Sequence, residues 1–279
     1  MHNSFGLRIK HLLTPTIAGR WLENAREQMD LWKAMHGQSE KGSLLFQNRC
    51  GRILLASLCR PGRVFMDVGA HIGSVIASVN HCVSNARIIA IEADPEKAHW
   101  LKATFPSVLI HNCAVGAQEG EVQFDIDLEK PGFSSIASNL KQPREVRSIR
   151  VPMHRIDTLY VGTTPVDLIK IDVEGMELAV LQGTANLIAR HRPTVYFESA
   201  LQSNAFGFTC MDLYNWFAER KYQIVIPNRV AHDGVPLSRD GFAEAHHFPQ
   251  RTLNYFAIPT ERRLDIRDRA RVILGVRVI

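Results

Sequence analysis

The apolar run Val64-Phe65-Met66 ends in Asp67-Val-Gly69-Ala70-His71-Ile-Gly73. A carboxylate and two glycines at a strand end make a tight turn that a ligand can approach closely. A dinucleotide turn needs glycines spaced G-x-G-x-x-G, so that backbone N–H groups reach a pyrophosphate. Here His71 stands in place of the middle glycine, and Asp67 would repel a phosphate. An acid suits an ammonium group instead. S-adenosylmethionine carries one, together with a sulfonium and no phosphate. Glu92 ends the run Arg87–Ile91 about 20 residues further on, where a carboxylate accepts ribose hydroxyls. NAD would use the same acid, so Glu92 does not separate the two cofactors. Asn112, after a third apolar run, is placed to hydrogen-bond or wall an adenine ring. The candidate cofactor-binding set is Asp67, Gly69, Ala70, His71, Gly73, Glu92, Ala93, Asn112, Ala114 and Asp172.

Two more acids directly follow apolar runs, Asp172 after Leu168–Ile171 and Glu198 after Val195–Phe197. Two carboxylates side by side raise the pKa of one of them, which makes it a better base near neutral pH. The same oxygens suit magnesium or manganese. No third ligand stands out, so no metal site is assigned and the metal-free version is favoured. Glu174 and Glu177 fall at a helix start, where negative charge favours the helix dipole; for Glu177 that structural role is preferred. His246 and His247 are adjacent and point in different directions, so at most one serves chemistry. The candidate catalytic set is Asp172, Glu198 and His247. His154 reads as an ordinary surface or core histidine.

These residues need a frame, and the chain supplies alternating strands and helices. Strands are predicted at 64–66, 87–91, 108–110, 166–171, 193–199, 222–227 and 251–259. Between them lie a helix after Gly73, one opened by Asp94 as N-cap with Pro95 at its first position, one running to about Arg190, and one opened by a Thr209/Asp212 capping box. Such alternation makes a mostly parallel sheet covered on both faces. Residues 120–128 alternate like an exposed strand, with a partner within 146–159 and a loop at 131–140. Residues 1–60 read as amphipathic helix, with Trp21, Leu22, Ala25, Met29 and Trp32 at helical spacing.

The 279 residues are 46% hydrophobic and 22% charged, an ordinary globular composition. No apolar run approaches the ~18 residues of a membrane span, and no secretory signal is expected at the N-terminus. Peripheral membrane contact stays open. Five scattered cysteines without a CxxC pair fit reduced thiols in a cytoplasmic protein rather than a zinc or disulfide framework. The net charge of +5 gathers at 1–22, 141–155 and beyond 261. Without interleaved aromatic residues it reads as a solvated basic surface, so a nucleic-acid partner is not expected.

The stretches 67–73, 89–95, 112–116 and above all 168–183 resemble the FkbM family of S-adenosylmethionine-dependent methyltransferases. The resemblance runs from about residue 61 to 259. It implies a class I methyltransferase fold, Rossmann-like, with a seven-stranded sheet whose last hairpin is antiparallel. It also implies O-methylation of a small molecule, glycan or lipid-linked sugar, or polyketide hydroxyl. His71 departs mildly, because the family commonly has Asn there. Ser134 and Ser135 resemble a family feature in a loop over the site. The expected organisation is a helical segment 1–60, a methyltransferase domain 61–260 and a basic tail 261–279. Three alternatives remain. An NAD-dependent oxidoreductase is disfavoured by His71 and Asp67. A nucleic-acid or N-methyltransferase is disfavoured by the lack of Asn-Pro-Pro-Tyr and Pro-Cys motifs. A non-catalytic scaffold is disfavoured by the joint presence of Asp67, Gly69, Gly73, Glu92, Asp172 and Glu198.

Overall fold

The computed structural model describes residues 16–37, 39–127, 135–136, 146–199, 207–248 and 250–276. A helical hairpin comes first, α1 (Ile17–Gly37) and α2 (Ser39–Ser57). Strand–helix alternation then begins with β1 (Val64–Val68), α3 (Ser74–Cys82), β2 (Arg87–Glu92), α4 (Pro95–Thr104) and β3 (Leu109–Asn112). A small sheet is formed by β4 (Ala114–Val115), β5 (Gly120–Asp127), β6 (Ser135–Ile136) and β7 (Val146–His154). Alternation resumes with α5 (Ile156–Leu159), β8 (Val166–Ile171), α6 (Glu177–Gln182), α7 (Ala185–His191) and β9 (Thr194–Glu198). The chain closes with α8 (Cys210–Glu219), β10 (Tyr222–Val225), α9 (Arg239–Ala245), β11 (Asn254–Pro259) and α10 (Arg263–Leu274).

The main sheet has seven strands in the order β10-β11-β9-β8-β1-β2-β3. Only β11 runs antiparallel to its neighbours. Strand order reverses at β1, which pairs in parallel with both β2 and β8. A crevice beyond the carboxyl ends of β1, β2 and β8 is therefore where a ligand belongs. Both β1 and β8 are buried along their whole length, as a sheet covered on both faces requires. One face carries Val64, Met66, Ile169 and Ile171 packed against α6, α7 and α8. The other carries Phe65, Leu168 and Phe256 packed against α2, α3, α4 and α10. Asp94 caps α4 as expected, accepting from Glu96 N and Lys97 N, and the Thr209/Asp212 capping box opens α8.

Three features differ from the sequence expectation. The helix expected to run to Arg190 is two helices, broken at Gly183, where a Cβ would stand 2.0 Å from Gly116 O. The N-terminal apolar residues Met29 and Trp32 are exposed, and it is α2 that faces the protein, with Leu54, Leu55 and Leu58 in the core. A chain cut at Arg60 is therefore expected to unfold. Nor are the described arginines after 261 a solvated fringe. Arg262 donates to Asp167 Oδ1 at 2.8 Å, Arg271 to Ala231 O at 2.9 Å, and Arg269 to Leu58 O. Among the described residues no helix is long and apolar enough to cross a membrane.

Candidate active site

Two turns meet at the switch point. In the first, Gly69 and Gly73 both have left-handed φ, 78° and 76°, and His71 adopts φ 50° without being glycine. A Cβ on Gly69 would stand 2.0 Å from Asp172 O, so only glycine lets the two turns touch. Gly73 serves a different purpose from the one expected. A Cβ there would meet Phe105 and Leu101 side chains, so this glycine lets the turn pack on α4 rather than on a ligand. Gly69 N and Ala70 N bond to Ile91 O, and Asp172 N bonds to Val68 O.

Glu92 fastens the first turn. Its Oε2 accepts His71 N at 2.7 Å and its Oε1 accepts Asp94 N at 2.9 Å. Burial pushes its pKa up, against Lys97 and those two amides. Asn112 donates from Nδ2 to the carbonyls of Glu92 and Ala93, at 2.9 and 3.2 Å, which fixes the segment after β2. Asp67 sits deeper than expected. It is fully buried behind the turn and lines no cavity wall, so its charge does not face the cleft directly. Burial raises its pKa against the pull of Lys170.

Lys170 escaped the sequence reading. It is the register partner of Asp67 across the parallel β1–β8 pair. Its Nζ donates to Gly69 O at 2.7 Å and stands 3.4 Å from Asp67 Oδ1 and 3.3 Å from Asp172 Oδ2. Burial lowers its pKa, but Asp172 and Asp67 outweigh that and hold it above the ordinary lysine value. One buried ammonium thus ties together the turn, the acid behind it and the acid in front.

In the second turn, Glu174 has φ 54° and Gly175 φ 103°. Glu177, buried beneath it, accepts Val173 N at 3.2 Å and Gly175 N at 3.1 Å through one oxygen, Oε1. It stands in the first turn of α6, as expected, and also holds the turn above it. The Asp172 and Glu198 carboxylates approach within 4.8 Å of each other. Against the effect of burial, Lys170 and the neighbouring Glu198 hold the Asp172 carboxyl below its usual range. Burial and the neighbouring Asp172 charge push Glu198 up to about 9. Glu174 supplies a third carboxylate, with ligand oxygens of Asp172, Glu174 and Glu198 all within 4.8 Å of one another.

The cleft between the turns has a volume of about 260 Å³. Of the candidate set, Gly69, Ala70, His71, Glu92, Ala93, Ala114 and Asp172 line it; Asp67, Gly73, Asn112, Glu198 and His247 do not. Lys97, Phe124, Lys170 and Glu174 line it without having been singled out for binding. Phe124 comes from the small sheet, whose placement over the cleft no local pattern discloses. His247 is exposed. His246 is buried; its Nδ1 donates to Phe242 O at 2.7 Å, which leaves Nε2 to accept from Ser199 Oγ at 2.8 Å. Ser134 and the Ser135 side chain lie outside the described residues.

The sheet order, with its switch-point cleft and antiparallel last hairpin, defines a class I S-adenosylmethionine-dependent methyltransferase fold. The methyltransferase FkbM domain matches residues 67–224, more than half of the chain, and the chain belongs to the FkbM methyltransferase family. Among solved structures, the chain is similar to an FkbM methyltransferase from Methylobacillus flagellatus KT, at 20% identity and a TM-score of 0.43, covering 70% of this chain and 43% of that one. The chain thus spans less than half the length of that relative. It is also similar to a TehB-like SAM-dependent methyltransferase from Corynebacterium glutamicum, at 12% identity and a TM-score of 0.40, covering 74% and 85%. A putative methyltransferase from Thermobifida fusca YX matches at 14% identity and a TM-score of 0.40, covering 87% of each chain. No match was found among the curated proteins.

Proposed function

We propose that the protein transfers a methyl group from S-adenosylmethionine to a hydroxyl of a small molecule, glycan, lipid-linked sugar or polyketide. The charge of the cleft supports this donor. Its acids are Glu92, Asp172 and Glu174, while its two lysines are engaged, Lys97 3.4 Å from Asp94 and Lys170 with Asp67 and Asp172. Such a lining suits a cationic ligand without phosphate. Gly69, Ala70 and His71 would hold the amino-acid end, Glu92 the ribose hydroxyls, and Ala93 and Ala114 the base. Glu92 has lone pairs left after its two amide bonds, because a carboxylate offers about four acceptor sites. When bound, S-adenosylmethionine supplies a methyl on a sulfonium, which becomes a neutral thioether as the acceptor oxygen takes the methyl.

The observation that carries the catalytic assignment is the close approach of the Asp172 and Glu198 carboxylates, within 4.8 Å of each other beside the cleft. An alcohol must lose its proton as the new bond to carbon forms. Asp172 keeps its charge next to Lys170, and that charge makes Glu198 the stronger base of the two once its own proton has gone. Turnover is expected to rise with pH toward about 9. Glu198→Gln should remove that rise and, like Asp172→Asn, cut turnover by ~100-fold. The assay is transfer of labelled methyl from the donor into extracts of a strain lacking the gene. A second reading follows from the third carboxylate. If Asp172, Glu174 and Glu198 hold magnesium or manganese, a chelator should silence the wild type and the metal should restore it. Full activity in chelator, with loss in both variants, supports the base. Near-normal turnover in both variants removes the pair from the mechanism.

A further inference from the structure

Ser74 and Val75 line two cavities at once. One is the cleft; the other is a groove of about 220 Å³ between α2 and α3. Ile53, Leu55 and Ala56 form much of one wall, and Val75, Ser78 and Cys82 much of the other. The groove follows α3 from its first residue to its last, nine residues or about 13 Å. Ser78 Oγ donates to Ser74 O at 2.9 Å, and Arg52 is ion-paired with Glu27 across the hairpin. Ser57, Ser74, His81 and Cys82 also line the groove, beside the aliphatic Ile53, Leu55, Ala56 and Val75. At its rim Ile53 is 38% exposed, and Phe46, two turns earlier on the same face of α2, is 48% exposed. Ile53 and Phe46 thus lie exposed on one face of α2, and the groove shares Ser74 and Val75 with the cleft. The α2 wall lies outside residues 67–224, the span of the matched domain.

We propose that the groove seats an aliphatic chain of the methyl acceptor, whose reacting hydroxyl enters the cleft at the Ser74–Val75 end. This rests on the reading of the cleft as the methyl-transfer site. It narrows the acceptor to an amphiphile, a hydroxyl-bearing head on an alkyl or acyl tail.

The test uses 11-(dansylamino)undecanoic acid, whose fluorescence rises when its chain enters an apolar site. The full chain should bind it saturably, one per molecule. Ile53→Glu, a change at an exposed position, should weaken binding about tenfold or more. Ser78→Phe, which fills the groove, should do the same. Both variants should bind S-adenosylhomocysteine as the wild type does, measured by calorimetry. No saturable binding, or equal binding by wild type and Ile53→Glu, overturns the proposal. So does a dimer in sedimentation that Ile53→Glu dissolves without any probe binding, which would make the face a contact between copies. A wild type that binds the probe but not S-adenosylhomocysteine would leave the groove standing and overturn the reading of the cleft.

Discussion

The two turns that enclose the cleft follow one plan with different means. Each leaves a buried central strand, and each passes through a non-glycine residue of left-handed φ, His71 in one and Glu174 in the other. Each is held by a buried glutamate that accepts the turn's amides. Glu92 reaches the first turn from the neighbouring strand and uses both oxygens. Glu177 reaches the second from the helix that the turn itself opens, and uses one. The first turn thus depends on the sheet being assembled, and the second is nearly self-contained. Strained backbone of this kind persists only where the surroundings over-determine it. Here the same problem, holding a polar turn open at a sheet edge, is solved once by tertiary pairing and once locally.

The largest expected effect comes from the point where the turns touch. Gly69→Ala places a Cβ against Asp172 O at a φ of 78°, and should cost ~3 kcal/mol or more through clash and strain together. Thermal melting should show a destabilised or unfolded protein that no longer binds S-adenosylhomocysteine. Gly73→Asp should also unfold the turn, by collision with Leu101 and Phe105.

The next effect separates the two glutamates. Glu92→Gln keeps one acceptor oxygen for two amides, so either His71 N or Asp94 N loses its partner. That should cost ~1–3 kcal/mol in denaturant unfolding. Glu177→Gln keeps the one oxygen that both amides use, and should cost under ~1 kcal/mol at pH 5. Equal losses in the two variants would break the distinction between the turns.

The smallest effect is on pH dependence. Burial, against its amide bonds, pushes Glu177 up to about 7 from a reference of 4.5. Between those values the folded protein holds a proton that the unfolded chain has released. Stability from this group is therefore full below pH 4.5 and lost as pH rises through about 7. Glu177→Gln should flatten that part of the stability–pH curve, seen by urea titration at pH 5 and pH 8. An unchanged slope would show that Glu177 is ionised throughout.

The first turn was legible in the sequence because its signals are local: an acid and two glycines after an apolar run, then Glu92 at a set distance. The mostly parallel sheet followed from alternation, and its antiparallel last hairpin from the family resemblance. Lys170 was not legible, although it stands out as a charge inside an apolar strand. Its meaning depends on β8 lying beside β1 in the register that pairs it with Asp67. Glu174 was read as a helix-start acid because a left-handed φ on a glutamate has no sequence signature. The burial of His246 against Ser199 likewise needs the end of α9 to lie against the end of β9, which brings residues far apart in the chain together. What could not be read was in each case a pairing between distant segments.

Whether the cleft takes a cationic methyl donor is decided most directly by titration calorimetry of the wild-type protein with S-adenosylmethionine, S-adenosylhomocysteine and NAD. The engaged lysines and the acids at 92, 172 and 174 predict saturable one-to-one binding of both sulfur compounds and no heat with NAD. Binding of NAD with neither sulfur compound bound would contradict the account.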